Sequence, residues 1–146
     1  MLVQLQPDQI SVMWEGIRFS VLSADRVPEE LQQDYAITLL QNLLSGNIQC
    51  WIVYGVEGED KVLYAIATTS IIDEKIFGAK ILRVNTLYGY RQLTDEMYAE
   101  GLDTFKKFAK SRGCKALIVE TYSNKVRTML SSNGFEERST IYQVFI

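Results

Sequence analysis

Leu93–Phe135, LTDEMYAEGLDTFKKFAKSRGCKALIVETYSNKVRTMLSSNGF, is the stretch on which the fold turns. Thr94 stands where a helix cap belongs, Asp95 and Glu96 follow in the first turn, and Leu93 and Tyr98 occupy staple positions. Met97, Leu102, Phe105, Phe108 and Ala109 give that helix a broad apolar face. Gly101 inside it costs ~1 kcal/mol relative to alanine, which is tolerable where a helix lies close on a sheet. Ser111-Arg112-Gly113 ends the helix. Lys115–Tyr122 is near-continuously apolar and predicts a buried strand. Asn124–Ser132 predicts a short helix with Val126, Met129 and Leu130 inward, and Asn133-Gly134 stops it. Phe135-Glu136-Glu137 and Thr140–Ile146 are expected to pair as closing strands.

Upstream, the pattern is different. Leu2–Leu5 alternates weakly as a first strand. Pro7-Asp8 opens a helix whose apolar face is Ile10, Met13, Trp14, Ile17 and Val21. Pro28-Glu29-Glu30 opens a second, with acids at the positive end of its dipole and a stripe of Leu31, Tyr35, Leu39 and Leu43, widened by Leu40 and Leu44. Ser45-Gly46-Asn47 stops it. Ile48–Val56, Lys61–Ile72 and Lys80–Tyr88 then read as a meander of three strands, joined by Glu57-Gly58-Glu59-Asp60 and by Asp73–Ala79. The predicted class is α+β: an antiparallel meander, then a parallel strand pair, flanked by about four helices in one domain over residues 1–146.

Composition narrows the functional classes. The chain has 146 residues, 47% apolar and 23% charged, as in ordinary globular proteins. No apolar run reaches the ~20 residues of a membrane span, and the N-terminus lacks the basic and apolar regions of a signal peptide. A cytoplasmic protein with no membrane role is the expectation. There is no histidine, so histidine triads and histidine-containing metal sites are excluded, and two cysteines do not make a zinc site. Cys50 and Cys114 sit in apolar contexts and read as two reduced, buried thiols rather than a disulfide.

Charge is unevenly spread. Residues 1–60 hold nine acids against two bases, whereas residues 61–146 hold thirteen bases against nine acids. The bases cluster at Lys106, Lys107, Lys110, Arg112, Lys115, Lys125 and Arg127. A solvated helix face accounts for them; a surface for an acidic partner is the other reading. An acidic chain without a recognition motif does not point to nucleic acid.

The order helix–Gly113–strand–Asn124–helix–Gly134-Phe135, preceded by the meander, resembles the GNAT (GCN5-related N-acetyltransferase) superfamily over nearly the whole chain. The resemblance implies a mixed sheet with a parallel, splayed strand pair. Acetyl-CoA would lie between the strand ending near Tyr88 and the one beginning near Lys115, with its pyrophosphate on backbone amides near residue 95. The cofactor-binding residues so implied are Leu87, Tyr88, Gly89, Arg91, Thr94 and Asn124. Glu120 is the implied general base, with Asp73 as another available acid; Glu120 reads equally as a solvent-facing strand residue or a structural acceptor. Tyr88, Tyr90, Arg91 and Tyr122 are expected to collect where the two strands part, either as packing residues or as the lining of a crevice.

The family's pyrophosphate motif, Gln/Arg-x-x-Gly-x-Gly/Ala, works because bare backbone N–H groups approach the phosphates at a helix start. Aligned through Ala109 and Gly113, it falls on Leu93-x-x-Glu96-x-Tyr98; shifted, it falls on Arg91-x-x-Thr94-x-Glu96. Neither register keeps the glycines. Asp95 and Glu96 stand where phosphate charge belongs, and like charges ~4 Å apart cost on the order of 4 kcal/mol at a surface-like dielectric. The tyrosine that acts as general acid in many members, four residues before the Gly-Phe glycine, is replaced by Leu130.

Two functions are compatible with these residues. The preferred one is a GNAT-like protein with a degenerate acetyl-CoA site and no cofactor, not an enzyme, serving as an interaction module with a protein partner or as a homo-oligomer. It is similar to compact GNAT-like proteins of tailed bacteriophages, some virion-associated, on the strength of Gln6-Pro7-Asp8-Gln9-Ile10, Trp14 and Gln49-Cys50-Trp51; that places it in a host cytoplasm or a virion. The alternative is an acetyl-CoA-dependent N-acyltransferase with a divergent pyrophosphate loop.

Overall fold

Ile48–Glu57 (β2), Asp60–Glu74 (β3) and Ala79–Gly89 (β4) form the expected antiparallel meander, and Leu2–Gln4 (β1) pairs antiparallel with β2. The computed structural model describes residues 1–76 and 78–146; Phe77, within the expected Asp73–Ala79 turn, lies outside them. The β2–β3 hairpin closes through Gly58-Glu59, with Gly58 at φ +64° in the left-handed region that a two-residue hairpin turn demands. Ala116–Val119 (β5) lies parallel to β4, pairing Ile81 with Ala116 and Val84 with Val119. The sheet order is β1-β2-β3-β4-β5, a mixed α+β sheet as predicted.

Helices cover both faces. Pro7–Val12 (α1), Trp14–Ala24 (α2) and Gln32–Ser45 (α3) pack Ile10, Ile17, Leu39 and Leu43 on Cys50 and Ile66. Asp95–Ser111 (α4) packs Phe105 and Ala109 on Trp51, Leu82 and Val84 of the opposite face. Asn124–Ser132 (α5) joins Val126 and Leu130 to Leu102 of α4. Trp51 is the pivot on the α4 side: its indole meets Phe105 and Phe108 edge-on at 5.3 and 5.1 Å. Its Nε1–H donates to Thr69 Oγ1 (2.9 Å), Thr69 donates to Gln49 Oε1 (2.9 Å), and Gln49 Nε2 donates to the Gly46 carbonyl (3.2 Å). This buried chain ties the end of α3 into the sheet.

Five expectations need correction. The helix opened by Pro7 breaks at Met13 (φ −97°, ψ 10°), giving two helices, although neither glycine nor proline marks the place. The second helix begins as a 3-10 turn at Glu29–Leu31, and its buried stripe is Ala36, Leu39 and Leu43; Tyr35 and Leu44 are exposed. Gly101 is not a close approach to backbone, since an added Cβ would meet only Leu2 Cδ2 at 4.0 Å. The strand expected over Lys115–Tyr122 is four residues long and is an edge, with Ile118 40% exposed. Residues 135–146 form no strands, so the closing pair is absent. Between Phe135 and Ile146 only Ser139 belongs to the residue types that favour turns, and no turn forms there.

The cysteines are free. Cys50 is buried, and burial pushes its thiol up to about 12, while Cys114 is half-buried. No helix among the described residues is long and apolar enough to cross a membrane, and no cluster of metal-ligating side chains occurs among them.

Candidate functional site

The parallel pair parts after Val84. Register in β3–β4 shifts between Thr68↔Thr86 and Thr69↔Val84, so Asn85 is an extra residue in β4. A bulge of this kind bends its strand and re-aims the residues beyond it. Past Asn85, β4 pairs only with β3, and the last link to the β5 side is a long one, Glu120 N–H to the Val84 carbonyl (3.5 Å). The splay therefore opens at the far end of β5, beside Val119 and Glu120. The closed end is at Lys115, whose N–H is bonded to the Lys80 carbonyl (2.8 Å).

On the α4–α5 side, an apolar cavity of about 60 Å³ lies behind the splay, lined by Leu87, Val119, Tyr98, Val126, Met129 and Leu130 among others. Small-molecule sites are typically ~300–1,000 Å³. The start of α4 stands at its rim. Thr94 is extended (φ −77°, ψ 161°) and its Oγ1 accepts the Met97 N–H (3.1 Å), as the sequence predicts for an N-cap. Asp95 and Glu96 occupy the first turn, where carboxylates favour the positive end of the dipole. Lys125 crosses from α5, with Nζ 3.5 Å from the Leu93 carbonyl and 6.0 Å from the centre of the Tyr98 ring. Burial, then the charge of Asp95, raises the Tyr98 hydroxyl above its ordinary value.

On the α2 side the splay is walled by aromatic rings. Tyr88 packs edge-on against Phe19 (5.4 Å) and Tyr90 (5.1 Å). The Tyr90 hydroxyl is 2.6 Å from Ser20 Oγ, which itself donates to the Gly16 carbonyl. These contacts clamp α2 to the end of β4. Arg91 is paired with Glu57 at 3.2 Å, and the same carboxylate oxygen accepts the Tyr64 hydroxyl at 3.0 Å. That bond, first among its causes, raises the Tyr64 hydroxyl. Gly89 closes β4, where an added Cβ would stand 3.3 Å from the Arg91 carbonyl oxygen. Asn124 opens α5 next to its cap, Ser123, whose Oγ accepts the Val126 N–H at 3.3 Å.

Of the expected cofactor residues, Leu87 lines the cavity and Thr94 stands at its rim. Asn124 adjoins Lys125, whereas the Tyr88 ring packs on α2 and Arg91 is held by Glu57. Tyr122 does not join the Tyr88–Tyr90 pair; the Arg26 guanidinium stacks 4.0 Å above its ring. Asp73 pairs with Lys80 at the opposite end of β3 from the splay.

Glu120 sits at the splay as a bound carboxylate, its Oε2 accepting from Arg83 Nη2 at 2.5 Å. Asp25, at the end of α2, stands by this pair. Burial raises its carboxyl, the Arg83 charge opposes that, and the Glu120 charge adds to it. Arg83 Nε is buried with no hydrogen-bond partner among the described residues. Asp25 and Arg83 were not picked out by sequence reading. The available signal was one cation and one anion, each inside an otherwise apolar strand: Arg83 in Ile-Leu-Arg-Val and Glu120 after Leu-Ile-Val.

No protein-family model matches this sequence, and no curated protein matches it. Solved structures do match. A predicted acetyltransferase from Clostridium acetobutylicum with acetyl-CoA superposes with a TM-score of 0.71 at 16% identity, over 99% of this chain and 95% of that one. A ribosomal-protein-alanine N-acetyltransferase from Brucella melitensis gives 0.67 at 15% identity, over 100% and 99%. A GNAT family acetyltransferase from Staphylococcus aureus gives 0.66 at 10% identity, over 100% and 98%. With its bulged β4, its parallel β4–β5 pair and the α4 crossover between them, this chain has the fold of the GNAT acetyltransferases.

Proposed function

We propose that this chain uses the GNAT scaffold as a non-catalytic interaction module, with an acetyl-CoA site that no longer suits the cofactor. One observation carries the reading: the helix start that would receive the pyrophosphate is capped by Thr94 and carries two acids in its first turn. Thr94 Oγ1 takes the Met97 N–H, and Asp95 and Glu96 supply the negative charge that a phosphate would bring. Three features support it. The cavity behind the splay is small and apolar, Leu130 stands where many members hold a tyrosine, and Glu120 is held by Arg83 rather than free to take a proton from an amine. A virion-associated role, like that of the bacteriophage proteins which its N-terminal segment and Gln49-Cys50-Trp51 resemble, is part of the same proposal.

Isothermal titration with acetyl-CoA tests this. No binding up to millimolar ligand is expected, with binding appearing when Asp95 and Glu96 are both replaced by glycine. Micromolar binding to the unaltered chain overturns the proposal.

A second reading, an acetyl-CoA-dependent N-acyltransferase, is favoured by the splay itself and by the fold it shares with an acetyl-CoA complex. In that reading Lys125 at the rim would face the phosphates, Glu120 would be the base, and the same titration would show tight binding.

A further inference from the structure

A second cavity, of about 200 Å³ against about 60 Å³ behind the splay, lies between α2 and α3. Trp14 and Arg18, one turn apart on α2, form one wall. Gln33, Ile37 and Leu40 of α3 form the other, and Ala36, a buried residue, leaves the room between them. The spacings, i and i+4 on α2 and i, i+4 and i+7 on α3, put these side chains on one face of each helix. Ile17, Leu39 and Leu43, which pack on the sheet, occupy other faces. None of the cavity residues lines the space behind the splay.

Arg18 sets this cavity apart. The other arginines are all engaged: Arg26 lies over Tyr122 and Arg112 over Phe108, while Arg83, Arg91, Arg127 and Arg138 pair with Glu120, Glu57, Glu137 and Glu136. Arg18 is half-buried, yet it has no ion pair, hydrogen bond or ring contact among the described residues. It stays free in the acid-rich part of the chain, with Glu15 three residues before it on the same helix. Glu15 and Asp34, the neighbours of Trp14 and Gln33 in sequence, are exposed and do not line the cavity. The Gln33 amide and the Trp14 indole N–H also make no hydrogen bond among the described residues.

We propose that this cavity binds a small carboxylic acid with an apolar body. The guanidinium fork of Arg18 donates to the carboxylate, a geometry that arginine matches with two parallel bonds. The Gln33 amide adds a further donor, and the apolar body lies between the Trp14 indole and the side chains of Ala36, Ile37 and Leu40, covering an Ile37 that is otherwise 52% exposed. One cation above an apolar floor suits a monoanion, since a phosphate dianion would lose more hydration there than a single guanidinium returns. The volume is below the ~300–1,000 Å³ of sites for drug-sized ligands, which limits the body to about the size of one large side chain. The inference is independent of whether the splay binds a cofactor.

Phenylacetate is the probe, followed through the indole N–H resonances of the full chain in ¹H–¹⁵N spectra. The chain has two tryptophans, and Trp51 is an internal reference because its Nε1–H is buried on Thr69 Oγ1. The Trp14 resonance, assigned by its loss in Trp14→Phe, is expected to move saturably at millimolar phenylacetate while the Trp51 resonance stays in place. Phenylacetamide, with the same body and no charge, is expected to bind about tenfold or more weakly, the worth of a hydrogen bond to a charged group. Arg18→Gln should weaken phenylacetate to the same degree, with an unmoved Trp51 resonance showing that the fold is intact. A Trp14 resonance that does not respond up to tens of millimolar phenylacetate overturns the proposal. So does equal binding of the amide, undiminished binding to Arg18→Gln, or movement of both indoles alike.

Discussion

The two halves of β4 are built for different ends. From Ile81 to Val84 the strand is paired on both sides, and Leu82 and Val84 are fully or nearly fully buried under α4. From Asn85 to Gly89 it is paired on one side only and faces a small apolar cavity across the splay. The first half is packed as any core is. The second is held open by one extra residue and is flanked by Tyr88 and Tyr90 packed against α2, by Leu130 and Lys125 of α5, and by the capped start of α4. One strand thus serves the core at one end and a crevice at the other, and activity must be argued from that site.

The sharpest way to break this contrast is to cut the same side chain from each half. Leu82→Ala is expected to cost about 2–5 kcal/mol, whereas Leu87→Ala, already beside a cavity and only partly buried, should cost distinctly less. Urea denaturation of both variants measures the gap. Thr69→Val, isosteric but without the hydroxyl, strands Trp51 Nε1 and Gln49 Oε1 in the core; a loss of about 2–4 kcal/mol is expected, read from the same curves.

At the splayed end, Thr94→Ala removes the cap of α4 and should cost about 1 kcal/mol by thermal unfolding. Restoring that loss with added acetyl-CoA would show the helix start accepting the cofactor. Gly101→Ala should instead gain up to about 1 kcal/mol, a rise in melting temperature, because the space beside Leu2 admits a methyl group.

The smallest effect concerns the thiols. Alkylation near pH 8 is expected to modify Cys114 quickly and Cys50 only at the rate of unfolding. Below an ordinary thiol value of 9.0 both folded and unfolded chains keep the Cys50 proton, so it adds no pH dependence to stability. Between there and about 12 the unfolded chain loses that proton first, and stability falls as pH rises.

Much of the fold was legible because its signals are local. Thr94, Gly58 and Gly46 each mark an end or a turn by their own chemistry, and the structure uses each of them so. The illegible parts depend on neighbours. An apolar run such as Ala116–Val119 reads the same at a sheet edge as in its centre, so its exposure went unseen. Thr140–Ile146 has the composition of a strand, but a strand needs an edge to pair with, and composition does not place it beside one. The break at Met13 carries no breaker residue. At the site, the acid-filled helix start was readable from Asp95 and Glu96, whereas the origin of the splay was not. It is set by the bulge at Asn85, which nothing in Val-Asn-Thr-Leu announces.

The central proposal is that the cap and the two acids at the start of α4 leave no place for a pyrophosphate. It is tested most directly by the backbone amide resonances of Thr94–Tyr98 in a ¹H–¹⁵N spectrum recorded as acetyl-CoA is added. The account predicts that the Asp95, Glu96 and Met97 amides stay in place up to millimolar cofactor and move only after Asp95 and Glu96 are replaced by glycine. Saturable movement of those amides in the unaltered chain at micromolar acetyl-CoA would contradict it.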